Sequence, residues 1–127
     1  MKNTILKLLI YIYYFSLFIL FILYLFPGSL IGYLLYGNLA YQPNLIPNPI
    51  GSSINHLIFF SFITILALAI RGKVKNILTD YKTILFISFI LEISHFIIPN
   101  RAFEFYDLIA NILGILIIMI FKRFIND

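Results

Sequence analysis

Apolar residues run along this chain in four blocks separated by short polar punctuation. The first, Ile5 to Phe26, stops at Pro27 and Gly28. The second, Ile54 to Ile70, stops at the basic stretch 71–75. The third, Thr83 to Ile98, ends at Pro99, because the residue before a proline is pushed out of the helical region. The fourth, 104–121, closes at Lys122 and Arg123. At about 1.5 Å per residue, the first block is long enough for a bilayer core of roughly 30 Å. The last three are shorter, which suggests mutual packing, flanking turns inside the interface, or local thinning of the bilayer. The pattern therefore predicts an all-α membrane protein with four transmembrane helices in a single domain, 1–127. Between the first two blocks lies a long connection, 27–53, without Asp, Glu, Lys or Arg. Its first part is apolar and punctuated by glycine, and residues 42–49 form a proline-rich extended piece. Gly28 and Gly32 make a GxxxG pair in a segment too short to span. A half-inserted or interfacial segment that caps the bundle is expected, and loops of this length often act as lids.

Composition supports lipid as the main solvent. The chain is 62% hydrophobic and 11% charged, with a mean hydropathy of +1.03. A soluble domain of 127 residues exposes too much of its surface to hide that much apolar material. There is no cysteine, so disulfide and thiolate chemistry are excluded. The net charge of +4 is scattered singly in the gaps between apolar runs, which reads as a topology signal, and no nucleic-acid partner is expected. Lys2, Lys7, Arg71, Lys73, Lys75, Lys82, Lys122 and Arg123, 8 of the 9 basic residues, fall on one side of a four-span chain, and Arg101 falls on the other. The positive-inside rule then puts both termini in the cytoplasm. The first block is too long for a signal-peptide core and reads as a signal anchor. The 27–53 connection and the short 99–103 turn carrying Arg101 face outward.

Against this background Glu92, His95, Arg101, Glu104, Asp107 and Asn111 crowd into one short stretch. Glu92 lies six positions before Ile98, roughly 9 Å below the outer end of its helix. An ionisable group at such depth is costly and marks a functional site by default. Ser88, Glu92 and His95 share one helix face, as do Asp107, Asn111 and Gly114 on the next helix. His56 sits near the outer end of the second helix. Short connections between antiparallel neighbours would gather His56, Glu92, His95, Arg101 and Asp107 at one level. Each has a plainer reading: Asp107 complements a helix dipole, Asn111 bonds between helices, Arg101 snorkels to lipid phosphate, and His56 is a wet interfacial histidine. Glu104 reads as a solvated first-turn carboxylate without a role. His56, Glu92, His95 and Asp107 are all possible ligands for zinc or iron. Only Glu92 and His95 have ligand-like spacing and HExxH is absent, so neither a metal nor a cofactor is expected.

The spaced string Glu92-x-x-His95-x-x-x-Pro99-x-Arg101, followed by Asp107-x-x-x-Asn111-x-x-Gly114, resembles the signature of the VanZ-like family of small bacterial membrane proteins. That family shows approximately E-x-x-Q-x-x-x-P-x-R and then D-x-x-x-N-x-x-G. Its D-K-x-x-H element corresponds to residues 52–56, ending at His56, and Phe26-Pro27 fits the end of its first helix. The resemblance covers about Phe26 to Gly114. Two positions depart from the pattern: His95 replaces the usual Gln, and Ser52-Ser53 replace Asp-Lys. A position usually filled by Gln is not an obligatory metal ligand, and a mechanism that needs a lysine at 53 has none here. The resemblance implies a four-helix protein of the bacterial plasma membrane. It also implies a link to low-level teicoplanin resistance, and kinship with bundles that act on lipid head groups or lipid-linked wall precursors.

Two functions are consistent with these residues. In the first, the protein acts at the outer leaflet on a phosphate-bearing lipid or lipid-linked wall precursor. His56, Glu92 and Asp107 then form the catalytic group, with Glu92 or His56 as general base. His95, Arg101 and Asn111 bind substrate, Arg101 gripping phosphate bidentately. In the second, the protein is a non-catalytic scaffold or binder of the cell envelope, and the polar cluster is glue between helices. A transporter is disfavoured by four short helices without repeat symmetry, unless the protein oligomerises. The sequence leaves the oligomeric state open.

Overall fold

The computed structural model describes residues 2–47, 50–74 and 76–126. Asn48 and Pro49 of the proline-rich piece, and Lys75 of the basic set, lie outside the described residues. Five α-helices form: α1 Lys2–Leu25, α2 Leu30–Tyr36, α3 Gly51–Ile70, α4 Tyr81–Ser94 and α5 Phe105–Asn126, with a 3-10 turn at Ile77–Thr79 before α4. Among the described residues there is no strand, only an isolated bridge between Arg71 and Val74.

Among the described residues, three helices are long and apolar enough to cross a membrane: Asn3–Leu25, Gly51–Ile70 and Phe105–Ile125, with mean hydropathies of 2.4, 2.0 and 2.2. Their surfaces match that reading. Phe15 and Phe18 on α1, and Ile120 and Phe121 on α5, are exposed, the reverse of what water would tolerate over so large a contiguous area. The third expected span, 83–98, differs. It is a helix of 14 residues, about 21 Å long, and so falls short of a crossing by itself. Its helix stops at Ser94 because the chain tightens there: the backbone N–H groups of His95, Phe96 and Ile97 each bond to a carbonyl three residues back. Pro99 therefore terminates a turn rather than a helix.

The core lies where α1, α3 and α4 meet α5. Tyr13, Leu17, Leu20 and Tyr24 recur at helical spacing along one face of α1 and are buried. They pack on Phe60, Ile63, Ala67 and Ile70 of α3, with Ile84 and Leu91 of α4 and Ile115 of α5. The most extensively packed helix pair is α3 and α5. Gly114 makes this approach possible, since a Cβ there would sit 2.5 Å from the Leu57 carbonyl oxygen. Ser61 Oγ bridges the same pair by donating to Gly114 O at 3.1 Å. At the far end, Tyr13 Oη donates to the Leu78 carbonyl, and Asn76 Nδ2 donates to Tyr14 Oη at 2.7 Å. These bonds tie the turn before α4 to α1.

The long connection is structured rather than loose. Ser29 caps α2 by accepting from Gly32 N at 3.0 Å, and Gly37 ends the helix in the left-handed region at φ 66°. Ser29 N donates back to Leu39 O at 2.7 Å. Gly32 packs against the returning strand of chain so tightly that a Cβ would lie 1.7 Å from Tyr41 O. This part of the connection is a seven-residue helix with Ile31, Leu34 and Leu35 exposed. Asn55 Nδ2 anchors the return to α3 by donating to Pro43 O at 3.0 Å.

Candidate functional site

At the end of the bundle where α1 finishes and α3 and α5 begin, nine polar side chains from α1, α3, α4, α5 and the turn before α5 face one another. Their partners are separated by up to 87 residues in sequence, so only the fold assembles them. Glu92 and Asn111 are fully buried, His95 is 4% exposed and Asp107 5%. Unpaired polar groups at such burial are expensive, and most of these are paired.

His56 of α3 is the hub. Its Nδ1 lies 2.6 Å from Tyr24 Oη and 3.2 Å from Asn111 Oδ1. Its Nε2 lies 3.5 Å from Asp107 Oδ2. Glu92 Oε2 stands 4.0 Å from Nδ1, too far for a hydrogen bond. Asp107, in the first turn of α5, is fixed from its other oxygen: Ser53 Oγ donates to Oδ1 at 2.6 Å and Ser52 Oγ at 3.3 Å. The two serines that depart from the resembled pattern therefore support the same carboxylate. A carboxylate on Nε2 holds a proton there and leaves the Nδ1 lone pair for Tyr24, which has one proton to share between His56 and Asn111 Oδ1, the latter 3.1 Å away.

Glu92 is anchored by its other oxygen. Oε1 lies 3.3 Å from His95 Nδ1 and accepts from the backbone N–H of Glu104, also at 3.3 Å. Glu104 thus contributes through its main chain. Its carboxyl is shifted upward, first by partial desolvation and then by the neighbouring Asp107 and Glu92. The His95 ring stacks on Tyr24, with centroids 5.2 Å apart and planes 15° off parallel. Glu92 Oε2, His95 Nε2 and Asn111 Nδ2 are buried without a hydrogen-bond partner. Ser88, expected on the same face as Glu92, is buried but donates back to Leu85 O at 2.8 Å.

Arg101 behaves differently from a free phosphate clamp. Its Nε donates to Phe26 O at 3.3 Å and its Nη2 donates to Leu23 O. It therefore caps the carbonyl end of α1, where a cation also suits the helix dipole. Burial lowers its pKa from the usual arginine value, partly offset by Tyr24 and Glu92. The edge formed by Nη1 and the remaining Nη2 proton is uncommitted to these carbonyls.

Two cavities meet at this cluster. The larger, about 1000 Å³, is polar and bounded by His56, Arg101, Glu104 and Asp107 below and by residues 39–47 of the long connection above. The smaller, about 380 Å³, is an apolar slot lined by Leu20, Leu23, Leu30, Leu35, Phe59 and Phe60. Ser29, Gln42, His56, His95 and Arg101 belong to both. Among the described residues, no three histidine or carboxylate side chains converge as a metal centre would require.

Of the sequence-derived candidates, His56, Glu92, His95, Asp107 and Asn111 all join one network, and Arg101 borders it. Tyr24, Ser52 and Ser53 were not anticipated as members. Tyr24 is one of nine tyrosines, and its only sequence signal is its place at the end of an apolar helix just before Pro27. Fold and site together define a helical protein with three long apolar helices and a buried tyrosine–histidine–carboxylate cluster at one end. No family model, curated protein or solved structure matches the chain.

Proposed function

We propose that the protein is a VanZ-like integral membrane enzyme acting at the outer leaflet of a bacterial plasma membrane on a phosphate-bearing lipid or lipid-linked wall precursor. In this reading α4 and its flanking turns complete a fourth crossing, both termini are cytoplasmic, and the activity underlies glycopeptide resistance of the teicoplanin type. The observation that carries it is the shared wall of the two cavities. A polar chamber and an apolar slot that have His56, His95 and Arg101 in common suit an amphiphile, with its head group in the chamber and its chain between α1, α2 and α3. Phosphate oxygens would meet the free edge of Arg101, while His95, whose Nδ1 faces Glu92, would offer Nε2 as an acceptor to a protonated oxygen of the substrate. His56 is the general base, held by Asp107, and Glu92 stabilises the imidazolium that forms. The 28–47 segment covers the head group.

The test is lipid and wall-precursor profiling of cells that express wild type or Glu92→Gln. The substitution keeps an acceptor oxygen for His95 and for the Glu104 N–H, so membrane abundance is expected to hold. A change in one lipid class that appears with wild type and vanishes with Glu92→Gln supports catalysis. Equal effects from both proteins would overturn it. Activity and abundance falling together would favour the scaffold.

A further inference from the structure

We propose that Tyr24 is a nucleophile, activated by His56 and Asp107, that takes up a phosphoryl group as an aryl phosphate ester. The three side chains stand in the order nucleophile, base, orienter: Tyr24 Oη to His56 Nδ1 at 2.6 Å, His56 Nε2 to Asp107 Oδ2 at 3.5 Å, with Asp107 held by Ser53 at 2.6 Å. This is the arrangement by which a neutral hydroxyl is turned into a nucleophile as it attacks. Asn111 Oδ1 alone, at 3.1 Å, would satisfy a merely structural phenol. The shorter contact goes to the imidazole. Tyr13 and Tyr14, by contrast, bond to the Leu78 carbonyl and to Asn76.

Tyr24 is also reachable. It lines the apolar slot together with Arg101 and His95. Arg101 is docked on the carbonyls of Leu23 and Phe26, on either side of Tyr24 in the same stretch of α1. The ring stacked on the phenol, His95, has an unpartnered buried Nε2. The guanidinium of Arg101 therefore stands beside the attacking atom, where it can meet the anionic oxygens of an electrophile.

The step balances as follows. An Oη–P bond forms while the bond from phosphorus to the leaving oxygen breaks, and the phenolic proton passes through His56 to that oxygen. Water then attacks phosphorus and breaks the Oη–P bond, and its proton returns through His56 to the phenolate. The net reaction is hydrolysis of a phosphate ester or anhydride. The choice of phosphorus as the electrophile rests on the function proposed above. The nucleophile itself is tested independently.

Purified protein in detergent is treated with phenylmethanesulfonyl fluoride, and labelled tyrosines are mapped by mass spectrometry. An Oη–S bond forms, fluoride leaves and His56 takes the proton. General-base help is worth roughly a hundredfold or more. Tyr24 is accordingly expected to label faster than the exposed Tyr11 and Tyr106, despite its burial. His56→Gln and Asp107→Asn are expected to slow Tyr24 by about two orders of magnitude and to leave Tyr11 and Tyr106 unchanged. Unchanged background rates and an unaltered gel-filtration profile identify a folded variant, and Asp107→Asn serves if His56→Gln fails that check. Tyr24 unlabelled while Tyr11 and Tyr106 react overturns the proposal, as does equal Tyr24 labelling in a folded variant. In a second arm, farnesyl diphosphate or phosphatidic acid is supplied in mixed micelles and the reaction is quenched in acid. Phosphate on Tyr24 supports the full proposal. Sulfonyl labelling without phosphate from either probe retains the nucleophile and overturns the phosphate-lipid electrophile.

Discussion

His56 Nε2 faces Asp107 Oδ2 at 3.5 Å, while the other oxygen of that carboxylate accepts from Ser53 and Ser52. One carboxylate thus accepts from two serine hydroxyls and faces the imidazole. Asp107→Ala leaves both hydroxyls without this acceptor, at about 1–3 kcal/mol for a buried group left unpaired. It is expected to lower both the melting midpoint in detergent and the membrane abundance. Asp107→Asn retains Oδ1 for the serines but turns an amide toward the imidazole. It should melt close to wild type and lose activity. Activity that follows abundance in both variants would reduce the pair to helix glue.

Gly114 lets α3 and α5 touch. A methyl group there would lie 2.5 Å from Leu57 O and 3.1 Å from Ser61 Oγ, and neither the backbone nor its hydrogen-bonded partner can easily move away. Gly114→Ala is expected to cost about 1–3 kcal/mol through overpacking, visible as a lower thermal midpoint. A midpoint equal to wild type would mean that the two helices are not held at this distance.

Gly32 closes the connection above the chamber. Its substitution by Ala places Cβ 1.7 Å from Tyr41 O, so the segment must open, while the contacts of α1, α3 and α5 are left alone. Limited proteolysis of Gly32→Ala is expected to cut within 37–47 where wild type resists, with little change in the midpoint of the bundle. Substrate affinity should fall more than turnover. Identical digestion patterns would count against a closed cover.

Glu104 provides a pH signature. Its pKa is raised above the usual carboxyl value, mainly by burial and then by Asp107 and Glu92, so its charged form is less favourable in the fold than in the unfolded chain. Below the usual carboxyl value both states are protonated and nothing is lost. As pH rises through that value toward the raised one, the unfolded chain ionises first and stability declines. Glu104→Gln should therefore raise the midpoint at neutral pH, with the advantage fading in acid. An advantage independent of pH would assign the gain to something other than charge.

Most of the helical architecture can be read from apolar runs and their punctuation. The expected 5–26, 54–70 and 104–121 blocks appear as Lys2–Leu25, Gly51–Ile70 and Phe105–Asn126. Each extends slightly further because polar residues such as Ser52 and Ser53 can continue a helix when partners await them. The third block ends earlier, at Ser94, since Pro99 fixes where a helix must have stopped and not where the turn tightens. Within the site, His56, Glu92, Asp107 and Asn111 stood out because polar groups are rare in such surroundings. Tyr24 did not, because a tyrosine in an apolar helix is ordinary until its partners, 32 and 87 residues away, are known. Arg101 was visible as a cation, but its engagement with the end of α1 depends on backbone geometry that composition does not encode.

The length of α4 has one more consequence. Fourteen residues give about 21 Å of helix, against roughly 30 Å of hydrocarbon. In the membrane setting proposed above, the rampart has a low sill on the side that carries Glu92 and His95. Lipids beside it must dip or the leaflet must thin, and either response brings head groups toward the buried carboxylate along the shortest greasy path. The stunted helix would then act as a slipway, setting the side from which cargo arrives before any specific contact is made.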